Sequence, residues 1–423
     1  MTLTRNLVRK LDQEDLLSAY QNEFYIADKE LCYLDGNSLG RLPLKTIEKI
    51  DLFLKDEWGS KLVEGWEKWI KEAQISGDLL AESILGANCG EVLICDTTSV
   101  NFFQLCSAVV TAYPTRKTII TDAANFPTDR YILEGIANEH GLKLIIIDNE
   151  DSNSKEYERI TLEYLEPYLS EDVSLVTFQV LQYRSGALNP IKDITKLVNQ
   201  YGALTVWDAS HAAGSVKLDF EENNIDLAVG CTYKYLCSGP GSPAWLYVRK
   251  SLQERLQVPI QGWFAQNDQF EMGPEFLKSP NIRGFQIASP SIIGLRCVNV
   301  FCEMVKQAKI EKIIEKAQTG TDLMIQLYDE WLKDLGFHLM TSRDSEKRGG
   351  HISLMHEHAK NISVSLREFE RVIVDYRVPD QIRIAISPLA MSYNEIYRGM
   401  KKIRDSVARK DYLKIKNKTS EVT

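Results

Sequence analysis

No stretch of the 423 residues approaches the roughly 18 consecutive apolar residues that a membrane-spanning helix needs. The first twenty residues carry charges throughout and lack both an apolar core and a small-residue cleavage site, so no secretory signal is read and a cytoplasmic chain is expected. Positive charge is not in excess either. Fifty Lys and Arg against 59 Asp and Glu leave a net charge of −9, which gives no electrostatic reason for nucleic acid or an anionic membrane to be the partner. The one basic stretch, 401–418, reads as a solvated helix running into a frayed terminus. Eight cysteines, at 32, 89, 95, 106, 231, 237, 297 and 302, form no CxxC pair; their spacing suits neither zinc nor a small disulfide scaffold, and they read as buried, reduced thiols. Histidine is scarce, at six residues, and three of them fall in HISLMHEHAK (351–360). There His351 and His356 are an odd number of positions apart on a segment read as a strand, so they face opposite sides and no metal site is expected. No internal repeat or low-complexity tract is evident.

What is present is an ordinary globular composition, 44% hydrophobic and 26% charged, long enough for two or three domains. From about 90 to 250, short apolar runs alternate with amphipathic stretches. EVLIC (91–95), TIIT (118–121), LKLIIID (142–148), SLVTFQVL (174–181), ALTVWD (203–208), LAVG (227–230) and AWLYV (244–248) read as buried strands. The segments 127–141 and 190–202, each with proline near its start and glycine at its end, read as helices between them. Such alternation predicts an α/β fold with a mainly parallel central sheet flanked by helices. A helix is also expected over Leu44 to Trp58, and a long helical stretch over 291–318 opens a smaller α+β C-terminal domain. The expected division is an N-terminal segment 1–60 packing with the small domain, a large domain 61–290 and a small domain 291–423.

Asp208 closes one apolar run, His211 follows in a small-residue turn, and Lys234 stands 26 residues beyond Asp208 ahead of a glycine-rich loop. A carboxylate at the end of a parallel strand points into the crevice where α/β proteins bind ligands, and a lysine after a later strand can reach the same crevice. That pair suits pyridoxal phosphate, the lysine amine forming a Schiff base and the carboxylate holding a proton on the pyridine nitrogen. A structural ion pair is the competing reading of the same two residues. The run CDTTSVN (95–101) offers hydroxyls and free N–H groups at a helix start, which fits a phosphate site or a plain N-cap. NFPTD (125–129) offers an aromatic face for a pyridine ring, or simply a Pro-initiated helix.

Over nearly its whole length the chain resembles the kynureninase family of fold-type-I pyridoxal-phosphate enzymes. The resemblance rests on YLDGNSLG (33–40), EWGSKLVEGW (57–66), CDTTSVN, NFPTD, YRSG (183–186), WDASHAAG (207–214), CTYKYLCSGPGSPA (231–244), GWF (262–264), RGGHISL (348–354) and DYRVPDQIRIAISPL (375–389), in order. It implies that Lys234 is the Schiff-base lysine and Asp208 the partner of the pyridine nitrogen. It further implies that Tyr233 and His211 are cofactor ligands, with Tyr233 also in proton transfer. Thr98 and Ser99 match the phosphate positions, Phe126 the stacking aromatic, and Thr128, Asp129 and Gln179 further cofactor contacts. Trp263 and Ser289 match positions that reach the phosphate from a partner subunit, which implies a homodimer with shared sites. Arg383 matches the residue that clamps the substrate α-carboxylate.

The implied activity is hydrolysis of the Cβ–Cγ bond of L-kynurenine, 3-hydroxy-L-kynurenine or both, to L-alanine and an anthranilate, in tryptophan catabolism. Two departures bear on substrate choice. Gln266 stands where relatives carry histidine near the substrate ring, and Ser289 stands where they carry threonine or asparagine. Drift with unchanged activity and an altered substrate, such as a ring-modified kynurenine or another γ-keto amino acid, are both open. Trp66 and Trp69 are read as pocket aromatics or core. Another fold-type-I lyase, such as a cysteine desulfurase, would need a mobile-loop cysteine, whereas Cys297 and Cys302 lie in the long helical stretch. A catalytically silent relative is disfavoured by the joint presence of Lys234, Asp208 and Arg383.

Overall fold

The computed structural model describes residues 2–149 and 157–415. A two-residue strand, β1 (Cys32–Tyr33), precedes the main body. Seven strands then form the central sheet: β2 (Val92–Ile94), β3 (Thr118–Asp122), β4 (Lys143–Ile147), β5 (Val173–Gln179), β6 (Leu204–Asp208), β7 (Leu227–Gly230) and β8 (Trp245–Val248). Their spatial order is β2-β8-β7-β6-β5-β3-β4, and β8 alone runs antiparallel to its neighbours. Each apolar run of the sequence becomes one strand. All are fully buried except the edge strand β4, because helices cover both faces of a parallel sheet and the strands need no polar face. In β6 the alternation is plain: Leu204 and Val206 join the core on one face and Trp207 the core on the other.

The helix Pro127–His140 starts on its proline and ends at Gly141, whose φ of 63° is the left-handed conformation that glycine adopts without cost. Ile191–Gln200 is the second expected helix. Two others depart from expectation. The N-terminal helix is regular over Leu44–Leu52 and continues as a wider π-helix over Phe53–Gly59. The stretch from 291 is two helices, Ile292–Ala308 and Ile310–Trp331, broken at Lys309 with φ 71°.

The second sheet is antiparallel, with order β12-β13-β10-β9, built from β9 (His338–Leu339), β10 (His351–Met355), β12 (Asp375–Arg377) and β13 (Gln381–Ala385), while β11 (Val372–Ile373) pairs in parallel with β1. Its core takes apolar side chains from Ile310–Trp331 and Tyr393–Ala408, together with Val8, Cys32 and Leu34. Asp12 fastens the first helix, Thr2–Glu14, by accepting from the N–H groups of Tyr393 (2.8 Å) and Asn394 (3.1 Å) at the start of the last long helix. The partition of cores differs from the expected boundaries. Side chains of Ile292–Ala308 join the large core, and the N-terminal segment divides, with Leu17, Phe24 and Phe53 in the large core. Of the eight cysteines seven are buried, but Cys89 is exposed, since it sits in the turn before β2. In the basic tail the helix ends at Ala408; Lys416, Asn417 and Lys418 lie outside the described residues.

Candidate active site

In the central sheet the chain passes from β3 to β4 on one side and then to β5 on the other, so the strand order reverses between β3 and β5. Side chains beyond the C-terminal ends of strands flank a crevice at such a point. Asp208 ends β6, level with Gln179 at the end of β5, and Oδ1 of Asp208 accepts from the N–H of Ser210 at 2.8 Å. Lys234 follows β7, and its Nζ lies 2.8 Å from Nε2 of His211. Burial, and then the charges of Arg383 and Arg377, hold the Lys234 amine below the usual lysine range, although neighbouring Cys231 and Asp208 act the other way. His211 is driven well below 6.5 by burial first and then by Lys234.

The loop that carries Lys234 is backed by the N-terminal segment. The N–H of Gly40 donates to the Tyr233 carbonyl at 2.8 Å, and a Cβ on Gly40 would come within 2.4 Å of the Lys234 carbonyl and 2.5 Å of Cys237 Sγ. Glycine is required there for close approach, which is the physical content of the YLDGNSLG motif.

Thr98 and Ser99 open the helix Thr98–Ala112, with Thr97 as N-cap accepting from Val100 N–H, and the N–H groups of Thr98 and Ser99 have no acceptor within the helix, the kind of position that suits an anion. Phe126 is half-buried and meets Tyr183 edge-on at 5.3 Å. Thr128 is half-buried on the first turn of Pro127–His140. Asp129 is buried beside Asp208, its Oδ2 has no hydrogen-bond donor among the described residues, and burial together with the Asp208 charge pushes its carboxyl well above the usual range. Gln179 is buried, and its Oε1 accepts from the N–H of Tyr183 at 3.0 Å. Tyr233 is half-buried beside the Lys234 amine, and burial raises its phenol, which keeps the proton on.

Arg383 is wholly buried. It ion-pairs with Asp375 across the β12–β13 pairing, donates from Nη1 to the Tyr183 carbonyl at 2.6 Å and from Nη2 to Ser38 Oγ at 3.1 Å. Asp35, with its carboxyl pushed up to about 7 by burial and by Asp375, adjoins the same group. His351, on β10, lies with its ring 5.9 Å from that of His211. Ser38, Tyr183, Asp375, Arg377 and His351 all fall inside motifs noted in the sequence, but no pattern there assigned them roles.

Three expected site residues are exposed, in contrast to the buried and half-buried group around Lys234. Trp263 (44% exposed) and Trp66 (37%) both contact Phe264, at 4.5 and 6.5 Å between ring centroids. Ser289 is also exposed. Trp69 is core, donating to Glu57 at 3.1 Å. The amide of Gln266 is bonded within its own loop. Oε1 accepts from the N–H groups of Leu277 (2.8 Å) and Asn267 (3.1 Å), and Nε2 donates to the Glu275 carbonyl at 2.9 Å.

Residues 313–403 match the family model described as the kynureninase C-terminal domain. A kynureninase of Geobacillus thermodenitrificans is 34% identical over 430 aligned positions, covering 99% of this chain and 98% of that protein. A kynureninase of Pseudomonas fluorescens is 32% identical over 418, covering 97% of each. The chain belongs to the kynureninase family. Among solved structures, a C-DES variant with glycine covalently linked to its PLP cofactor superposes with a TM-score of 0.77 at 15% identity, over 89% of this chain and 97% of that one. The fold is therefore that of the fold-type-I pyridoxal-phosphate enzymes.

The residues present fit pyridoxal phosphate. Among the described residues nothing hydrogen-bonds the buried Asp129 Oδ2 or His211 Nδ1, which is costly unless a polar ligand completes them, and they accompany the half-buried amine of Lys234 and the first turn of Thr98–Ala112. Among the described residues no group of three or more His, Cys, Asp or Glu side chains could hold a metal, and no helix is long and apolar enough to cross a membrane.

Proposed function

We propose that the protein is a pyridoxal-phosphate-dependent hydrolase that cleaves the Cβ–Cγ bond of L-kynurenine, 3-hydroxy-L-kynurenine or both, releasing L-alanine and the matching anthranilate. The observation that carries this reading is the half-buried Lys234 amine 2.8 Å from His211, with Asp208 acting on its charge, in a chain of this family. Lys234 would bear the cofactor, Asp208 would face its ring nitrogen, and Thr98 and Ser99 with the helix behind them would hold its phosphate. Phe126 would stack on the ring, and Thr128, Asp129, Gln179, His211 and Tyr233 would complete the contacts. When bound, the cofactor supplies an electron sink for negative charge at the substrate Cα.

The chain's own groups account for the proton transfers. An amine held below the lysine range is more often neutral, so Nζ of Lys234 can remove the Cα proton, with His211 Nε2 fixing its position. Tyr233 keeps its phenolic proton and suits a donor role as the Cβ–Cγ bond breaks. One water adds to the ketone carbon, and its oxygen leaves in the anthranilate carboxylate, while the Cβ electron pair takes up a proton and Lys234 returns its proton to Cα to give alanine. The cationic floor around Arg383 is the place for the α-carboxylate.

A homodimer with shared sites is part of the same reading. Support comes from the exposed Trp263, Trp66 and Ser289 and from an apolar groove of about 570 Å³ lined by Leu39, Leu42, Ile50 and Ile293, surfaces that a second copy would cover. Side-by-side turnover of kynurenine and 3-hydroxykynurenine tests the reaction. Alanine is expected from at least one; a cofactor-loaded protein that yields none from either refutes it.

A further inference from the structure

The loop that carries Trp263 is tied by an arginine to the segment that carries Ser289. Arg283 stands on the single turn Ile282–Phe285, where its own N–H is capped by Asn281 Oδ1 at 3.0 Å. Its half-buried guanidinium reaches back to the Trp263 loop. Nη1 donates to the carbonyls of Phe264 and Gln266, both at 2.7 Å, and to Gln269 Oε1 at 3.4 Å, while Nη2 donates to the carbonyl of Asn267 at 2.6 Å. All four acceptors lie between 264 and 269, and none is a carboxylate. A second tie lies beside the first: a Cβ on Gly262 would strike the carbonyl of Ile287, so the backbone before Trp263 packs directly on the backbone before Ser289. Phe264 is buried while Trp263 and Ser289 are exposed, so the unit is rooted in the protomer and presents both residues outward.

A guanidinium that donates to several backbone carbonyls fixes the chain between them, because its planar fork tolerates little reorientation and each bond is charge-assisted. We propose that Arg283 is a positioning residue for the neighbouring subunit's active site, locking Trp263 and Ser289 into one platform that completes the cofactor site of a second copy. This rests on the shared-site homodimer reading given above. Its distinctive consequence is that the arginine serves the adjoining chain and not its own.

The test mixes two full-length variants. Arg283→Met alone is expected to weaken pyridoxal phosphate binding by roughly 10- to 100-fold, as befits loss of charge-assisted bonds. Lys234→Ala alone keeps the platform but has no amine to bear the cofactor. A hybrid dimer joins the lysine of the first chain to the intact platform of the second, so subunit exchange at equal amounts completes about a quarter of the wild-type number of sites. At a cofactor concentration too low for Arg283→Met by itself, the visible band of cofactor on Lys234 and the turnover of kynurenine should both return to about that level. Arg283→Lys, which keeps the charge without the fork, should weaken binding less, and it carries the same mixing test if the methionine variant fails to fold. No recovery of the band, with hybrid dimers confirmed by native mass spectrometry, overturns the proposal, as does an unchanged cofactor affinity in Arg283→Met. Failure of both variants to fold also overturns it, by making the arginine a part of the fold alone. A wild-type chain that binds cofactor and turns over kynurenine as a monomer removes the shared-site reading and the proposal with it. Recovery of the band in a mixture, with no alanine released from kynurenine by the wild type, removes the proposed reaction and leaves the role of Arg283 standing.

Discussion

The crevice of the central sheet and the arginine floor of the small sheet handle polar groups in opposite ways. At the crevice, single residues stand at the ends of parallel strands or in the loops beyond them, and several are unfinished: the Lys234 amine hydrogen-bonds His211, and among the described residues nothing hydrogen-bonds Asp129 Oδ2 or His211 Nδ1. On the floor, Asp375 and Arg383 face each other across paired strands, and Arg383 is bonded on every side that the protein offers. One region stores unpaired groups for a ligand, and the other spends its groups on fixing geometry. Function needs both, because a reactive amine is useful only if the substrate is held in register with it.

The contrast can be broken most directly at Asp375. Asp375→Ala leaves a buried guanidinium without its carboxylate and should cost about 3–5 kcal/mol in urea unfolding. Lys234→Met removes a half-buried amine held by one hydrogen bond, to His211, and should be neutral or stabilising in the same experiment. Equal losses would abolish the distinction. A smaller effect concerns acid. His211 titrates well below 6.5 when folded, so below that pH the unfolded chain takes up a proton that the folded chain refuses. Stability therefore falls as the pH drops below 6.5 and is unaffected by this group above it. Thermal unfolding between pH 5 and 8 should show a shallower acid-side loss in His211→Gln; an identical slope would contradict the burial argument. The smallest effect is expected at Gln266. Since its amide serves its own loop, Gln266→His should change the ratio of kynurenine to 3-hydroxykynurenine turnover by no more than about 2-fold. A large change would return this position to the substrate.

The two regions also differ in how far they could be read from sequence. Crevice residues sit just past apolar runs, and a run such as LTVWD announces both the strand and the residue that ends it. Parallel strands buried on both faces leave an unbroken apolar signature, so all seven runs became strands. The floor is assembled across distance: Arg383 meets Ser38 across 345 positions, and nothing near either one signals the other. The counter-ion of Arg383 is eight positions away, but its role depends on a strand pairing that periodicity does not specify. The break at Lys309 was equally hidden, because KQAKIEK is good helix sequence and the positive φ comes with the turn between two packed helices. At Gln266 a motif position was legible while the bonds that occupy its amide were not, since two of the three involve residues nine and eleven positions on.

The central claim is that Lys234 carries the cofactor in the crevice, and borohydride reduction of the cofactor-loaded protein followed by peptide mass analysis tests it. The account predicts a reduced pyridoxyl group on the peptide containing Lys234, lost in Lys234→Ala. A pyridoxyl group on a different lysine, or none on a protein that still releases alanine from kynurenine, would contradict it.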